Sequence, residues 1–173
     1  MADMLVRLYA LPDAAPALAR VRAQGIEIRR ALAAEKEAVC AWVARHVGAR
    51  FAAEADAAFA ARPVTCLIAV TKDTSRPLAA APYDVPAEVL LGFAVYDVTA
   101  RGVFGPTAVR ADRRGAGIGT ALLLATLHSM AAEGYAYAVI GWAGPAAYYA
   151  RAVGATPIEG SAPGIYRGPL LGE

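Results

Sequence analysis

No stretch limits what this chain can fold into as much as Thr107-Ala-Val-Arg-Ala-Asp-Arg-Arg-Gly-Ala-Gly-Ile-Gly-Thr120. The apolar run over 102–110 reads as a strand. The run after it sets Leu122, Leu123, Thr126, Leu127 and Met130 on one face, which predicts a helix over 117–133 closed by Gly134. A strand therefore passes through a glycine turn into a helix. Gly115, Gly117 and Gly119 withhold side chains where that helix begins, so an anion can approach the backbone N–H groups. The helix macrodipole adds partial positive charge at the same place. Arg113, Arg114 and Thr120 offer further donors. This chemistry suits a diphosphate; the plainer alternative is a tight strand-to-helix turn that binds nothing.

The spacing separates kinds of phosphate site. A dinucleotide fold needs G-x-G-x-x-G, whereas these glycines run G-x-G-x-G and position 120 is Thr. A P-loop needs a Lys after its last glycine, and none follows here.

Composition removes other classes. Hydrophobic residues make up 58% of the 173, and the mean hydropathy is +0.41, values that hint at a membrane. Roughly a quarter of the chain is Ala, however, and charges interrupt every apolar stretch. The longest such stretch, 121–132, contains His128 and Ser129 and is too short to span about 30 Å of hydrocarbon. Asp3, Arg7 and Pro12 break any signal-peptide core. A soluble, untargeted, cytoplasmic protein is the expectation, with no membrane partner. The net charge of +2, with only Lys36 and Lys72 as lysines, gives little drive toward nucleic acid. Cys40 and Cys66 read as small apolar residues, and His46 and His128 lack partners at ligand spacing, so no metal is expected. None of Ser75, Ser129 and Ser161 lies in a G-x-S-x-G elbow.

Along the chain, 4–9 reads as a strand, the stretch to Gly25 as a helix, and 26–32 as a second strand. Helices follow from 33 to about 61, divided at Gly48; then come a strand over 65–71 and a long loop over 72–86. A hairpin over 88–98 and 102–110 leads into the glycine turn. After the long helix, 135–142 reads as a strand and 145–153 as a helix ended by Gly154. Strand-like pieces over 156–166 complete the order β-α-β-α-α-β-β-β-α-β-α-β, an α+β plan.

Arg114-x-x-Gly117-x-Gly119 resembles the [RQ]-x-x-G-x-[GA] acetyl-CoA motif of the GNAT superfamily of N-acetyltransferases. Thr107-Ala-Val109 stands before it at the family's spacing, Leu122-Leu123 follow in the helix, and Ile26-Glu-Ile-Arg-Arg-Ala31 is similar to the family's opening strand. Pro145-Ala-Ala-Tyr-Tyr-Ala-Arg-Ala-Val-Gly154 is similar to its second motif, an aromatic-Tyr pair ahead of a Gly. The resemblance covers 26–173 as an acetyltransferase domain, with 1–25 as a strand-helix extension that either extends the sheet or pairs across a homodimer. It implies the GNAT acyl-CoA N-acyltransferase fold, a mixed central sheet with an antiparallel hairpin and flanking helices. It further implies acetyl transfer from acetyl-CoA to a primary amine, on a small molecule or a peptide, by direct attack in a ternary complex. A catalytically reduced acyl-CoA-binding module is the alternative.

On this resemblance Thr107, Ala108 and Val109 accept the pantetheine arm as a pseudo-strand, and the Val109 N–H polarises the thioester carbonyl. Arg114, Gly115, Ala116, Gly117, Ile118, Gly119 and Thr120 hold the pyrophosphate. Tyr149 protonates the departing thiolate while Tyr148 packs. Gly154 falls one residue later than the family's pattern has it, and a shifted register would make Tyr148 the acid. The family's Asn after this strand is absent, with Gly141-Trp-Ala-Gly144-Pro in its place. An alkylamine with a pKa of about 10.4 must lose a proton, at roughly 4 kcal/mol at neutral pH. No carboxylate lies in 103–109 to take it; Asp97 and Glu54 read mainly as solvated carboxylates, and no base is assigned. Trp42, Phe51 and Phe59 read mainly as core, and Trp142 lies where acyl-CoA would enter.

Overall fold

A computed structural model describes residues 1–75 and 87–165, so most of the 72–86 connection and the end of the 156–166 segment lie outside the described residues. Among the described residues, twelve strands and α-helices appear in the order the patterning predicts. Strand β1 (Met4–Arg7) and helix α1 (Ala15–Arg22) precede β2 (Ile26–Arg30), α2 (Lys36–His46) and α3 (Ala49–Ala58). Gly48 parts the two helices at φ +138°, a backbone region that favours glycine. Strands β3 (Cys66–Lys72), β4 (Glu88–Tyr96) and β5 (Val103–Val109) then lead to α4 (Ile118–Ala132), β6 (Tyr137–Ile140), α5 (Ala146–Val153) and the short β7 (Thr156–Pro157).

The strands form one mixed sheet in the order β2-β3-β4-β5-β6-β1-β7, which carries helices on both faces. Strand β3 shows why. Its alternate residues Leu67 and Ala69 enter a core with α1, α4 and α5, while Cys66, Ile68 and Val70 enter a second core with α2 and α3. A strand covered on both faces reads as an unbroken apolar run, as this one does. Helix α4 buries Ile118, Ala121, Leu122, Leu123, Leu124, Thr126, Leu127 and Met130, so it forms the centre of the first core. Among the described residues, no helix is long and apolar enough to cross a membrane.

Strand β1 settles into the sheet between β6 and β7, antiparallel to both, with Met4 opposite Ile140 and also opposite Pro157. Its partners are thus in its own chain, and Met4, Val6 and Leu8 are buried in the first core. Helix α1 packs on α4, which brings Arg20 and Gln24 against the glycine turn.

Two local features open the sheet near its middle. Strands β5 and β6 run parallel but, among the described residues, pair only at Val103 with Val139 and Phe104 with Ile140. Beyond them Gly105 takes φ +111° and Pro106 offers no N–H, so the ladder ends and the strands splay. On the other side β4 grips β5 closely: a Cβ on Gly92 would sit 2.8 Å from the Ala108 carbonyl oxygen.

Candidate active site

The glycine turn is shaped by the residues that flank it. Arg110 closes it from one side with two bonds to Asp112, at 2.7 and 3.0 Å. Gly115 and Gly117 take φ +84° and +91°, and Gly117 immediately precedes α4. The N–H groups of Ile118, Gly119 and Thr120 have no intrahelical acceptors, and among the described residues no side chain caps this helix end. They open on a concavity of about 370 Å³, lined also by Arg113, Arg114, Tyr148 and Arg20. The side chains of Arg20, Arg113 and Arg114 make no ion pair or hydrogen bond among the described residues. Three guanidinium groups beside bare helix N–H groups concentrate positive charge in this hollow.

Helix α1 supplies the part that the motif did not reveal. Arg20 Nε would lie 3.4 Å from a Cβ on Gly117, so its guanidinium covers the space that the glycine leaves. One turn on, Gln24 Nε2 donates to the Ala116 carbonyl at 3.0 Å and holds the loop to α1.

From this hollow the unpaired edge of β5 leads toward the splay. The Arg110 N–H donates to the Leu91 carbonyl at 2.8 Å. Antiparallel pairing alternates, so Ala108 also faces β4, whereas the backbone groups of Thr107 and Val109 face the open edge. Thr107 is fixed further by a 3.0 Å bond from its hydroxyl to the Phe93 carbonyl.

The splay itself forms a cleft of about 290 Å³. Phe104, Pro106 and Thr107 of β5 line it, with Ile140, Gly141 and Trp142 at the end of β6, Tyr149 of α5, and Arg50, Phe51 and Glu54 of α3. Tyr149 is buried except where it meets the cleft, and its hydroxyl bonds to no described residue. Burial, and secondarily the neighbouring Tyr148, push its pKa above that of an ordinary phenol, so it keeps its proton at neutral pH. Tyr148 is placed differently: its hydroxyl lies 3.1 Å from Thr120 Oγ1, beside the glycine turn and away from the cleft. Burial also raises the Glu54 pKa, against the opposing charge of Arg50. Trp142 sits at φ +50° with its N–H donating to Asp3 Oδ1 at 2.9 Å.

Other candidates fall elsewhere. Trp42 packs on His46, with ring centres 4.7 Å apart, and on Phe93; Phe59 is buried. Asp97 accepts bonds from the Gly102 N–H and the Tyr135 hydroxyl, which pins the hairpin turn near the far end of α4. Phe51, Glu54 and Trp142 are the ones that reach the cleft.

No protein-family model matches the sequence, and no curated protein matches it. Solved structures do match by shape. One is the GCN5-related glucosamine N-acetyltransferase region of a fungal multi-domain GH3 β-N-acetylglucosaminidase, at TM-score 0.67 and 14% identity over 91% of this chain and 19% of that one. Another is a GCN5-related N-acetyltransferase from Sphaerobacter thermophilus, at TM-score 0.63 and 20% identity over 91% of this chain and 48% of that one. A Drosophila protein matches at TM-score 0.59 and 14% identity, over 91% of this chain and 47% of that one. The chain thus spans less than half the length of each. The mixed seven-stranded sheet with helices on both faces thus has the fold of these GCN5-related N-acetyltransferases.

Proposed function

We propose that the protein transfers an acetyl group from acetyl-CoA to a primary amine. The observation that carries this reading is one continuous track: the arginine-lined hollow at the glycine turn, the unpaired edge of β5, and the cleft holding Tyr149. In this reading the diphosphate lies on the N–H groups at the head of α4, with Arg113, Arg114 and Arg20 as counter-charges. The pantetheine arm runs along β5, and the outward N–H of Val109 donates to the thioester oxygen as negative charge develops there. The amine, already deprotonated, attacks the carbonyl carbon; a C–N bond forms, and the C–S bond breaks as the tetrahedral intermediate collapses. The excess proton on nitrogen leaves to solvent. Tyr149 gives its proton to the departing sulfur and regains one from water.

The experiment is thiol release from acetyl-CoA across a panel of primary amines, with mass spectrometry of the acetylated product. Amine-dependent release is expected. Tight binding of acetyl-CoA with no release for any amine would instead favour a non-catalytic acyl-CoA-binding module, a reading supported by the lack of a carboxylate on β5.

A further inference from the structure

We propose that Glu54 is the general base of the transfer, the group through which the proton lost by the attacking nitrogen passes to solvent. The inference rests on the transferase reading and adds a catalytic residue to it. A neutral amide cannot form until that nitrogen gives up its extra proton, and the apolar walls made by Phe104, Pro106 and Ile140 have nothing to take it. The Thr107 hydroxyl already donates to the Phe93 carbonyl. Glu54 is the one carboxylate among the described residues that line the cleft. Asp3 accepts the Trp142 N–H instead, and Asp97 accepts the Gly102 N–H and the Tyr135 hydroxyl.

Position supports the role as much as chemistry does. Helix α3 buries Ala55 and Ala58 in the second core, on one face of the sheet, and carries Glu54 to the cleft from that side. Tyr149 reaches the cleft from α5, which packs in the first core on the opposite face. In a tetrahedral intermediate the entering nitrogen and the departing sulfur are different substituents of one carbon. An acid and a base on opposite sides of the splay can therefore serve both. The atoms balance: the C–N bond forms, Glu54 takes one proton from nitrogen, the C–S bond breaks, and Tyr149 gives one proton to sulfur. Glu54 then returns its proton to water, and Tyr149 regains one. The Glu54 carboxylate accepts no hydrogen bond among the described residues, and it is half-buried, so it meets both the cleft and water. Desolvation, the larger effect, makes it a stronger base than an exposed carboxylate, while the charge of Arg50 one turn earlier opposes this.

The test is steady-state thiol release with butylamine, phenethylamine, glucosamine, spermidine and a lysyl peptide, followed by kinetics of two variants on the fastest of these. Glu54→Gln should lower kcat about 100-fold, the lower range for a lost general base, and leave the KM for acetyl-CoA unchanged. In Glu54→Ala, added formate should restore turnover about tenfold, and chloride at the same ionic strength should not, a rescue that a purely structural role would not give. A kcat for Glu54→Gln within about threefold of the parent, a rise in the amine KM alone, or a Glu54→Ala enzyme that formate leaves unchanged overturns this inference and leaves the transferase standing. Release with none of the amines overturns the transferase reading, and this inference with it.

Discussion

The hydroxyls of Tyr148 and Thr120 lie 3.1 Å apart and tie α5 to the first turn of α4, which turns the adjacent Tyr149 into the splay. The two tyrosines therefore predict opposite kinetic signatures. Tyr149→Phe should lower kcat by about 100-fold or more, the lower range for a lost general acid, with little change in the KM for acetyl-CoA. Tyr148→Phe should raise that KM a few-fold and spare kcat. Steady-state kinetics of both variants is the check, and equal losses in the two would refute the assignment.

Arg20 should act as a long-range part of the cofactor site. Its guanidinium is exposed and has no protein partner among the described residues, so its removal should not unfold the chain. Arg20→Ala is expected to weaken CoA binding about three- to tenfold at low ionic strength. The deficit should shrink in high salt, where counterions screen the lost charge. Calorimetric titration at two salt concentrations measures it.

Gly92 leaves no room for a side chain between β4 and β5. A methyl group there would lie 2.8 Å from the Ala108 carbonyl oxygen and 3.3 Å from Val109 Cα, and backbone cannot rotate away as a side chain can. Gly92→Ala should cost about 1–3 kcal/mol of stability, the usual range for overpacking, measured by urea denaturation. The same shift of β5 should reduce CoA affinity in the fraction that stays folded.

Acid should weaken the outer edge of the sheet. Arg29 bonds Glu35 at 2.6 and 2.9 Å and Glu88 at 2.6 Å. The bond from Arg29 chiefly holds the Glu35 carboxyl below the ordinary carboxylate range, against its burial. Because the folded pKa is the lower one, the stabilisation is complete above the unfolded value of about 4.3 and fades as pH falls through the folded value. With Glu35 about a quarter exposed, solvent screening limits it to about 0.5–1 kcal/mol. Glu35→Gln should therefore be less stable than the parent near neutral pH and nearly equal to it at about pH 2, by denaturation at both values.

The order of elements was legible because hydrophobic period and glycine punctuation are local. The Gly115–Thr120 turn and the paired tyrosines are contiguous motifs, so the hollow and Tyr149 came into view together. What the motifs could not reveal is assembled across distance. Arg20 belongs to a helix almost a hundred residues before Gly117, and no local pattern distinguishes it from the neighbouring Arg22. Only the packing of α1 on α4 sets it over the turn. Glu54 likewise reads as one charge on an amphipathic helix until α3 is folded across the mouth of the splay. The place of β1 was open for the same reason, since a short apolar strand can pair with any exposed edge; its register with β6 and β7 decides it.

Amide resonances followed during titration with CoA test the central claim most directly. The account predicts the largest shifts at Val109, Gly117, Ile118, Gly119 and Thr120, with a smaller response at Gln24, whose side chain holds the Ala116 carbonyl. Shifts centred instead on Thr65, Asp97, Arg101 and Tyr135, which line the polar hollow near the far end of α4, or no shifts at all, would contradict it.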